Sequence, residues 1–393
     1  MPSRKSAALG AAALLFASAV FAEAHRPASD DTVLERLPPA FLATRSIPVA
    51  AITDATSRPD LTQALAAARR YVEVGQTYSD PRAYGYAQAA LGTWWDASPA
   101  PAPVLIMRAR ILQFRHEFKQ SLAELEAALK NDQFQPDAWL LLASIEQVQG
   151  NIAASRAACL KLIPMADPLV GATCVASTTG LTDRAPEAAT LLSKALTGTT
   201  ATSPQERTWA WTTLAEIQAR LNDQQKSEDA FKQALTIEPN DVYARSAYAD
   251  LLLDQNRNAD ARRVLGDATQ ADALLLRAAI AAQRDNNADA ASLAKNMSDR
   301  FAEARERGDQ THLREQARFA LEVEHDVPQA LDLAQRNFAI QREPADARIL
   351  LEASLAAHEK ETAQPALDWL KQTNIDAPHL KQIAGALTSS AAQ

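Results

Sequence analysis

The stretch "AFKQALTIEPND", residues 230–241, decides the fold. Ala230 precedes a ring, Phe231; Ala234 follows it, Ser227 stands four residues before it, and Pro239 closes the run. Residues three and four apart share a face of a helix. Ser227, Phe231 and Ala234 therefore form one stripe, a ring between small neighbours. Small residues let another helix approach closely, and the ring fills the gap that remains. Proline cannot continue a helix and restricts the residue before it, so the unit ends there. Reading back toward the N-terminus, "TWAWTTLAEIQARLND" (208–223) puts Trp211, Leu214 and Ala215 on an earlier helix and breaks at Asn222-Asp223.

The same pattern recurs. Residues 137–162 supply Trp139, Leu142 and Ala143, a Gln149-Gly150-Asn151 turn, then Ser155 and Cys159. Residues 242–268 supply Tyr248, Ala249, a turn at Asn256 to Asn258, then Ala261, Leu265 and Ala268. Shorter echoes run through Ser121, Leu125 and Ala128; Ala188, Leu192 and Ala195; and Ala330 and Ala334. Pro136, Pro168, Pro204, Pro239 and Pro344 punctuate the ends of units. One helix pair cannot bury its apolar face alone, but stacked pairs bury a continuous core.

This helix–turn–helix unit, about 34 residues long, resembles the tetratricopeptide repeat (TPR). The departures are Gln218, where the family usually has an aromatic, and Ser227 in place of Ala. The resemblance implies an all-α, right-handed TPR-like solenoid of about eight to nine units, with a capping helix near 376–388. Expected pairs are 60–76 with 81–96, 103–115 with 119–131, 137–149 with 152–163, and 169–180 with 186–197. They continue at 206–221 with 225–236, 241–254 with 258–268, 271–284 with 287–305, 309–324 with 328–341, and 345–358 with 363–373.

Composition agrees. Of 393 residues, 47% are hydrophobic and only 11 are Gly, and the abundant Ala favours helix. The formal charge of −8 argues against general binding to nucleic acid or anionic membrane. "MPSRKSAALGAAALLFASAVFAEA" reads as a signal peptide: Arg4 and Lys5, an apolar run from Ala7 to Phe21, and an Ala22-Glu23-Ala24 cleavage site. The expected organisation is 1–24 signal peptide, 25–57 extended or partly disordered lead, 58–198 first helical repeats, 199–205 linker, and 206–388 second repeats and cap. The linker reads either as a hinge between two sub-arrays or as a longer inter-repeat loop. A cleaved signal peptide places the chain in the periplasm or otherwise outside the cytoplasm. Such a compartment permits a Cys159–Cys174 disulfide, with two buried free thiols as the alternative.

Catalytic signatures are missing from the sequence. The six histidines form no H-E-x-x-H motif, and no Walker loop, G-x-G-x-x-G or G-x-S-x-G appears. No cofactor or metal site is expected, and an enzyme is the least favoured reading. The TPR resemblance implies instead a protein or peptide partner in the concave groove. Positions two, five, nine and twelve of each first helix line that groove in the family. Candidate groove residues are Trp209, Thr212, Glu216, Tyr243, Asp250 and Gln147. The alternative to groove binding is a structural accessory subunit of an envelope assembly. The Lys/Asn pattern of TPR modules that clamp a peptide's C-terminal carboxylate is replaced here by Thr212, Glu216, Ser246 and Asp250, so that mode is disfavoured. The acidic residues suit a basic or neutral segment. Trp139 and Trp211 are expected in the core. Of Trp94 and Trp95, which end the second helix, one is expected to pack and the other to face solvent.

Overall fold

A computed structural model describes residues 60–78, 81–198, 202–267, 271–306, 308 and 311–389; the expected signal peptide and lead lie outside these. The helices come in nine successive pairs. The first four are α1 (Leu61–Tyr78) with α2 (Arg82–Leu91), α3 (Ala102–Phe114) with α4 (Phe118–Asn131), α5 (Pro136–Val148) with α6 (Ile152–Leu162), and α7 (Pro168–Thr179) with α8 (Ala185–Thr197). Next come α9 (Pro204–Arg220) with α10 (Gln224–Ile237), α11 (Val242–Asp254) with α12 (Asn258–Leu265), and α13 (Asp272–Arg284) with α14 (Ala290–Glu306). The eighth pair is α15 (Leu313–Phe319), prolonged by a π turn at Ala320–Glu324, with α16 (Val327–Ile340). The ninth is α17 (Pro344–Ala357) with α18 (Gln364–Thr373), and α19 (Pro378–Ser389) caps it by packing on α17. The chain is an all-α solenoid; among the described residues the one β contact is an isolated bridge, Thr182 to Ile375.

Two devices repeat and set the angle within a pair. At the turn, His116, Gly150, Asn222, Asn256, Asn286 and His358 take left-handed φ values between 51° and 80°. The next amide then reaches back five residues to a helix carbonyl, as in Glu117 to Leu112 (2.9 Å), Asn151 to Glu146 (2.8 Å) and Asp223 to Gln218 (2.9 Å). This closure satisfies carbonyls that a helix end leaves open. Inside the pair, Ser121, Ser155 and Ser227 are fully buried and donate to the carbonyls of Ala109, Ala143 and Ala215 at 2.6, 2.6 and 2.9 Å. Serine in place of alanine therefore ties the second helix to the first.

The prolines act differently from the sequence reading. Pro136, Pro168, Pro204 and Pro344 are the first residues of α5, α7, α9 and α17. At that position the missing N–H is not needed and the fixed φ suits the helix, so proline opens the following unit. The first pair also differs: α2 stops at Leu91, where Gly92 turns the chain, rather than running to 96. Trp94 and Trp95 are both half-buried against the first core cluster, so neither is the solvent-facing ring expected. Arg108 holds their loop by donating to the carbonyls of Trp94 (2.6 Å) and Ala97 (2.8 Å).

One hydrophobic cluster runs without interruption from Leu169 in α7 to Val323 after α15, through Leu192, Ile217, Phe231, Leu252 and Leu276. Packing thus crosses the 199–205 segment. Phe231 lies against Tyr248 of the next pair with ring centroids 5.3 Å apart.

The solenoid also closes on itself. The amide of Arg342 donates to Val148 O (2.8 Å), Trp369 Nε1 to Gly150 O (3.4 Å), and the amide of Asp376 to Leu181 O (2.9 Å). Gln341 Nε2 lies 3.0 Å from His116 Nδ1. Ile340 packs into the second pair's cluster, while Leu181 and Ile152 pack into the last pairs' cluster. Pairs eight and nine therefore dock on the turns of pairs two, three and four. Gly150 is needed at this seam: its φ is +80°, and a Cβ there would stand 2.4 Å from Trp369 Nε1.

Candidate functional site

Side chains from distant pairs identify the inner face. Asp250 on α11 accepts from Arg277 on α13 and from Arg318 on α15, each at 2.6 Å. Asp254, one turn on, accepts both terminal nitrogens of Arg348 on α17 at 2.8 and 2.7 Å. Units two and three apart can meet only on the inside of a curve, so the first helices of the pairs line the concave side.

In the second half this face is an ion-pair lattice. Besides Asp250 and Asp254, Glu322 takes Arg284 and Arg318, each at 2.6 Å, and Glu352 takes Arg348 at 2.8 Å. Arg277 and Arg318 hold the Asp250 carboxyl well below the usual range although burial opposes them. Glu315 is held down to about 2, chiefly by Arg314 acting against burial. In the first half the concave contacts are neutral. Gln113 donates to Ser144 (3.2 Å), and Ser177 to Gln147 (3.3 Å).

Between these regions lies a group that the lattice does not neutralise. The Tyr243 hydroxyl donates to Glu216 Oε1 at 2.7 Å. Burial pushes the Glu216 carboxyl up, while Arg220 and the Tyr243 bond pull it down. The neighbouring Glu216 charge, then burial, raises the Tyr243 phenol well above its ordinary range. The ring itself is 62% exposed. Glu343 adds to that rise and Arg314 opposes it. Glu343 is pushed up by burial and by Asp346, with Arg314 opposing from 3.2 Å.

The six groove candidates separate in this geometry. Tyr243 and Glu216 come together. Thr212 is 2% exposed and its hydroxyl has no hydrogen-bond partner in the structure, which closes it to a partner. α9 buries Thr208, Thr212 and Thr213 along with its apolar residues. Asp250 is consumed by two arginines, so the acidic groove expected from Glu216 and Asp250 is cancelled there. Trp209 is half-buried on the cluster around Cys159 and Cys174. Gln147 is half-buried and bonded to Ser177. Trp139 and Trp211 are half-buried, packing on cores without lying inside them. Cys159 and Cys174 are joined by a disulfide that ties α6 to α7. Sequence reasoning missed the arginine lattice, because the partners that join different pairs lie 27 to 94 residues apart.

Residues 210–241 match the sequence model of the tetratricopeptide repeat. The fifth pair is therefore a tetratricopeptide repeat within an all-α solenoid. The matched segment is the fifth pair with its buried Phe231; the second, third, sixth, seventh and ninth pairs repeat its left-handed turn, and the second and third repeat its serine tie. No curated protein sequence matches the chain. Among solved structures, a TPR protein from Parabacteroides merdae is similar at 13% identity and TM-score 0.35, covering 84% of this chain and 98% of that one. PilF of Pseudomonas aeruginosa is similar at 16% identity and TM-score 0.32, covering 61% and 91%. A Rap protein complexed with competence and sporulation factor is similar at 11% identity and TM-score 0.48, covering 84% and 99%. With these scores the assignment rests on the matched repeat and on the helix pairs themselves. Among the described residues no helix of the TPR array is long and apolar enough to cross a membrane.

Proposed function

We propose that this TPR array is a periplasmic interaction scaffold that holds a segment of a partner protein along its concave face. The observation that carries this reading is Tyr243, a ring 62% exposed among the inward-facing first helices, with its hydroxyl aimed by Glu216. Aromatic rings with one polar handle dominate interface energetics. On the inner face arginines pair with Asp250, Asp254, Glu322 and Glu352, and the first half presents amides and hydroxyls. A neutral segment therefore fits better than a basic one. The test places a photo-crosslinking amino acid at position 243 in cells and a control crosslinker at Leu191, on the second helix of its pair. The expected result is one adduct from 243 that disappears with Glu216→Lys. Adducts from 191 alone would remove the concave reading. Recovery of the chain from the periplasmic fraction, beginning after residue 24, tests the compartment.

A second reading has its own observation. Leu160, Ile163 and Leu191, on or just after the second helices α6 and α8, are 51%, 49% and 42% exposed. Together with the closed seam, this favours an accessory subunit of an envelope assembly that engages its neighbours through the outer surface. The crosslinking pattern at 191 decides between the two.

A further inference from the structure

One cavity lies in the seam. It measures about 260 Å³ and is walled by Tyr84, Arg110 and Phe114 from the first two pairs and by His312 and Gln341 from the eighth, with His116 beside them. None of its lining residues is a carboxylate, although the chain has 48 acidic and 40 basic residues. The Tyr84 and Phe114 rings stack with centroids 3.6 Å apart, and Phe118 and Val148 add further apolar wall.

Two donors at this cavity are unspent. Arg110 is half-buried and makes no ion pair or hydrogen bond among the described residues. Tyr84 is only 6% exposed, yet its hydroxyl makes no hydrogen bond among the described residues. Leaving a guanidinium and a phenol unpaired at a half-dry wall costs free energy that a bound acceptor would recover. Space has been made for the ring: a Cβ at Gly75 would stand 2.7 Å from Tyr84 Cε2.

One guanidinium beside flat apolar walls matches a monoanion. The planar Arg fork takes a carboxylate through two parallel bonds. A phosphate dianion would bring charge that this single cation leaves unmatched. We propose that the seam cavity binds a small aromatic carboxylate, its head on Arg110 and the Tyr84 hydroxyl and its flat body along the ring wall. His312 and Gln341 reach the cavity only when pairs eight and nine are docked. The ligand therefore binds the closed array better than an opened one and clamps it shut by mass action. This site is separate from the Tyr243 face and stands whether or not that face binds a partner.

The test titrates the full chain with benzoate, with its neutral isostere benzamide, and with inorganic phosphate, following amide chemical shifts. Benzoate is expected to saturate in the millimolar range or below, shifting the amides of residues 110–116 and 341–342. Benzamide and phosphate are expected to leave them in place. Arg110→Gln should weaken benzoate about 10- to 100-fold, the loss of one charge-assisted contact. Tyr84→Phe, which keeps the ring, should weaken it several-fold. Benzoate should also slow hydrogen exchange at the Arg342 and Asp376 amides, which bond across the seam. Equal binding of benzamide or of phosphate overturns the proposal. So does unchanged benzoate affinity in Arg110→Gln, or no saturable shift with benzoate, 4-hydroxybenzoate or indole-3-acetate.

Discussion

The first three pairs and the last five obey one packing rule but are held differently. In the first half the apolar residues divide into small clusters, the concave contacts are hydroxyl to amide, and a covalent bond ties the third pair to the fourth. Beyond it, one large cluster runs from Leu169 in the fourth pair to Val323, a second holds the eighth and ninth pairs, and an arginine–carboxylate lattice spans up to three units of the inner face. Local helix pairing is thus common to both regions, while curvature has a separate cause. Neutral hydroxyl–amide contacts join each first helix only to the next. Long arginines reach past the next helix and draw the second half inward until its end meets the first.

Removing Phe231 should have the largest effect on that contrast. It is 1% exposed within the continuous cluster, so Phe231→Ala should cost about 3–5 kcal/mol. In urea unfolding followed by hydrogen exchange, the loss should spread across α7 to α15. A loss confined to the fifth pair would show that the second half is no more continuous than the first. Reduction of Cys159–Cys174, which closes a 15-residue separation, should cost about 3 kcal/mol in the chain-entropy account. Its effect should concentrate on α5 to α8, read as the urea midpoint with and without reductant.

Gly150→Ala should cost about 1–3 kcal/mol through the Trp369 clash and the left-handed backbone. Exchange should quicken at the Arg342 and Asp376 amides while the helices of pairs five to seven stay protected. Unchanged exchange there would mean that the seam does not hold the two halves together.

The smallest effects come with pH and have two signs. Asp250 and Glu315 sit below their ordinary values, so their contribution is present above about pH 4 and is lost as pH falls toward 2. Glu343 and Glu216 sit above theirs. Their contribution is complete below about pH 4 and is lost as pH rises through their folded values. Hydrogen exchange in α11 and α15, corrected for its intrinsic rate, should therefore be slowest at mildly acidic pH, whereas α5, whose inner-face contacts at Ser144 and Gln147 are neutral, should change less. Glu343→Gln should flatten the rise on the alkaline side; an unchanged profile would detach that side from Glu343.

The pairing was legible because it is local. Ser227, Phe231 and Ala234 lie within eight residues of one another, and their spacing states which face is buried. The turns were legible for the same reason, since Gly150 and Asn222 announce left-handed positions. His116, His325 and His358 take the same left-handed conformation, which no histidine motif would have suggested. Of the candidate residues, Tyr243 and Glu216 were named from register within α11 and α9, and the structure brings them together. Thr212 was misread because α9 buries it, and Asp250 because its arginines come from later pairs. No local pattern encodes that Asp254 will meet Arg348, 94 residues away. The seam was invisible for the same reason: Val148 and Arg342 touch only once every intervening unit has added its small rotation.

The seam also fixes a number. An open solenoid tolerates the gain or loss of a repeat, because each unit answers only to its neighbours. Here the turn at Gly150 must arrive opposite Trp369, and Leu181 opposite Asp376. Inserting or deleting one pair between them would carry every later contact out of phase by a whole unit. The array therefore counts its own repeats, and its length is as much a part of its specification as any side chain in it.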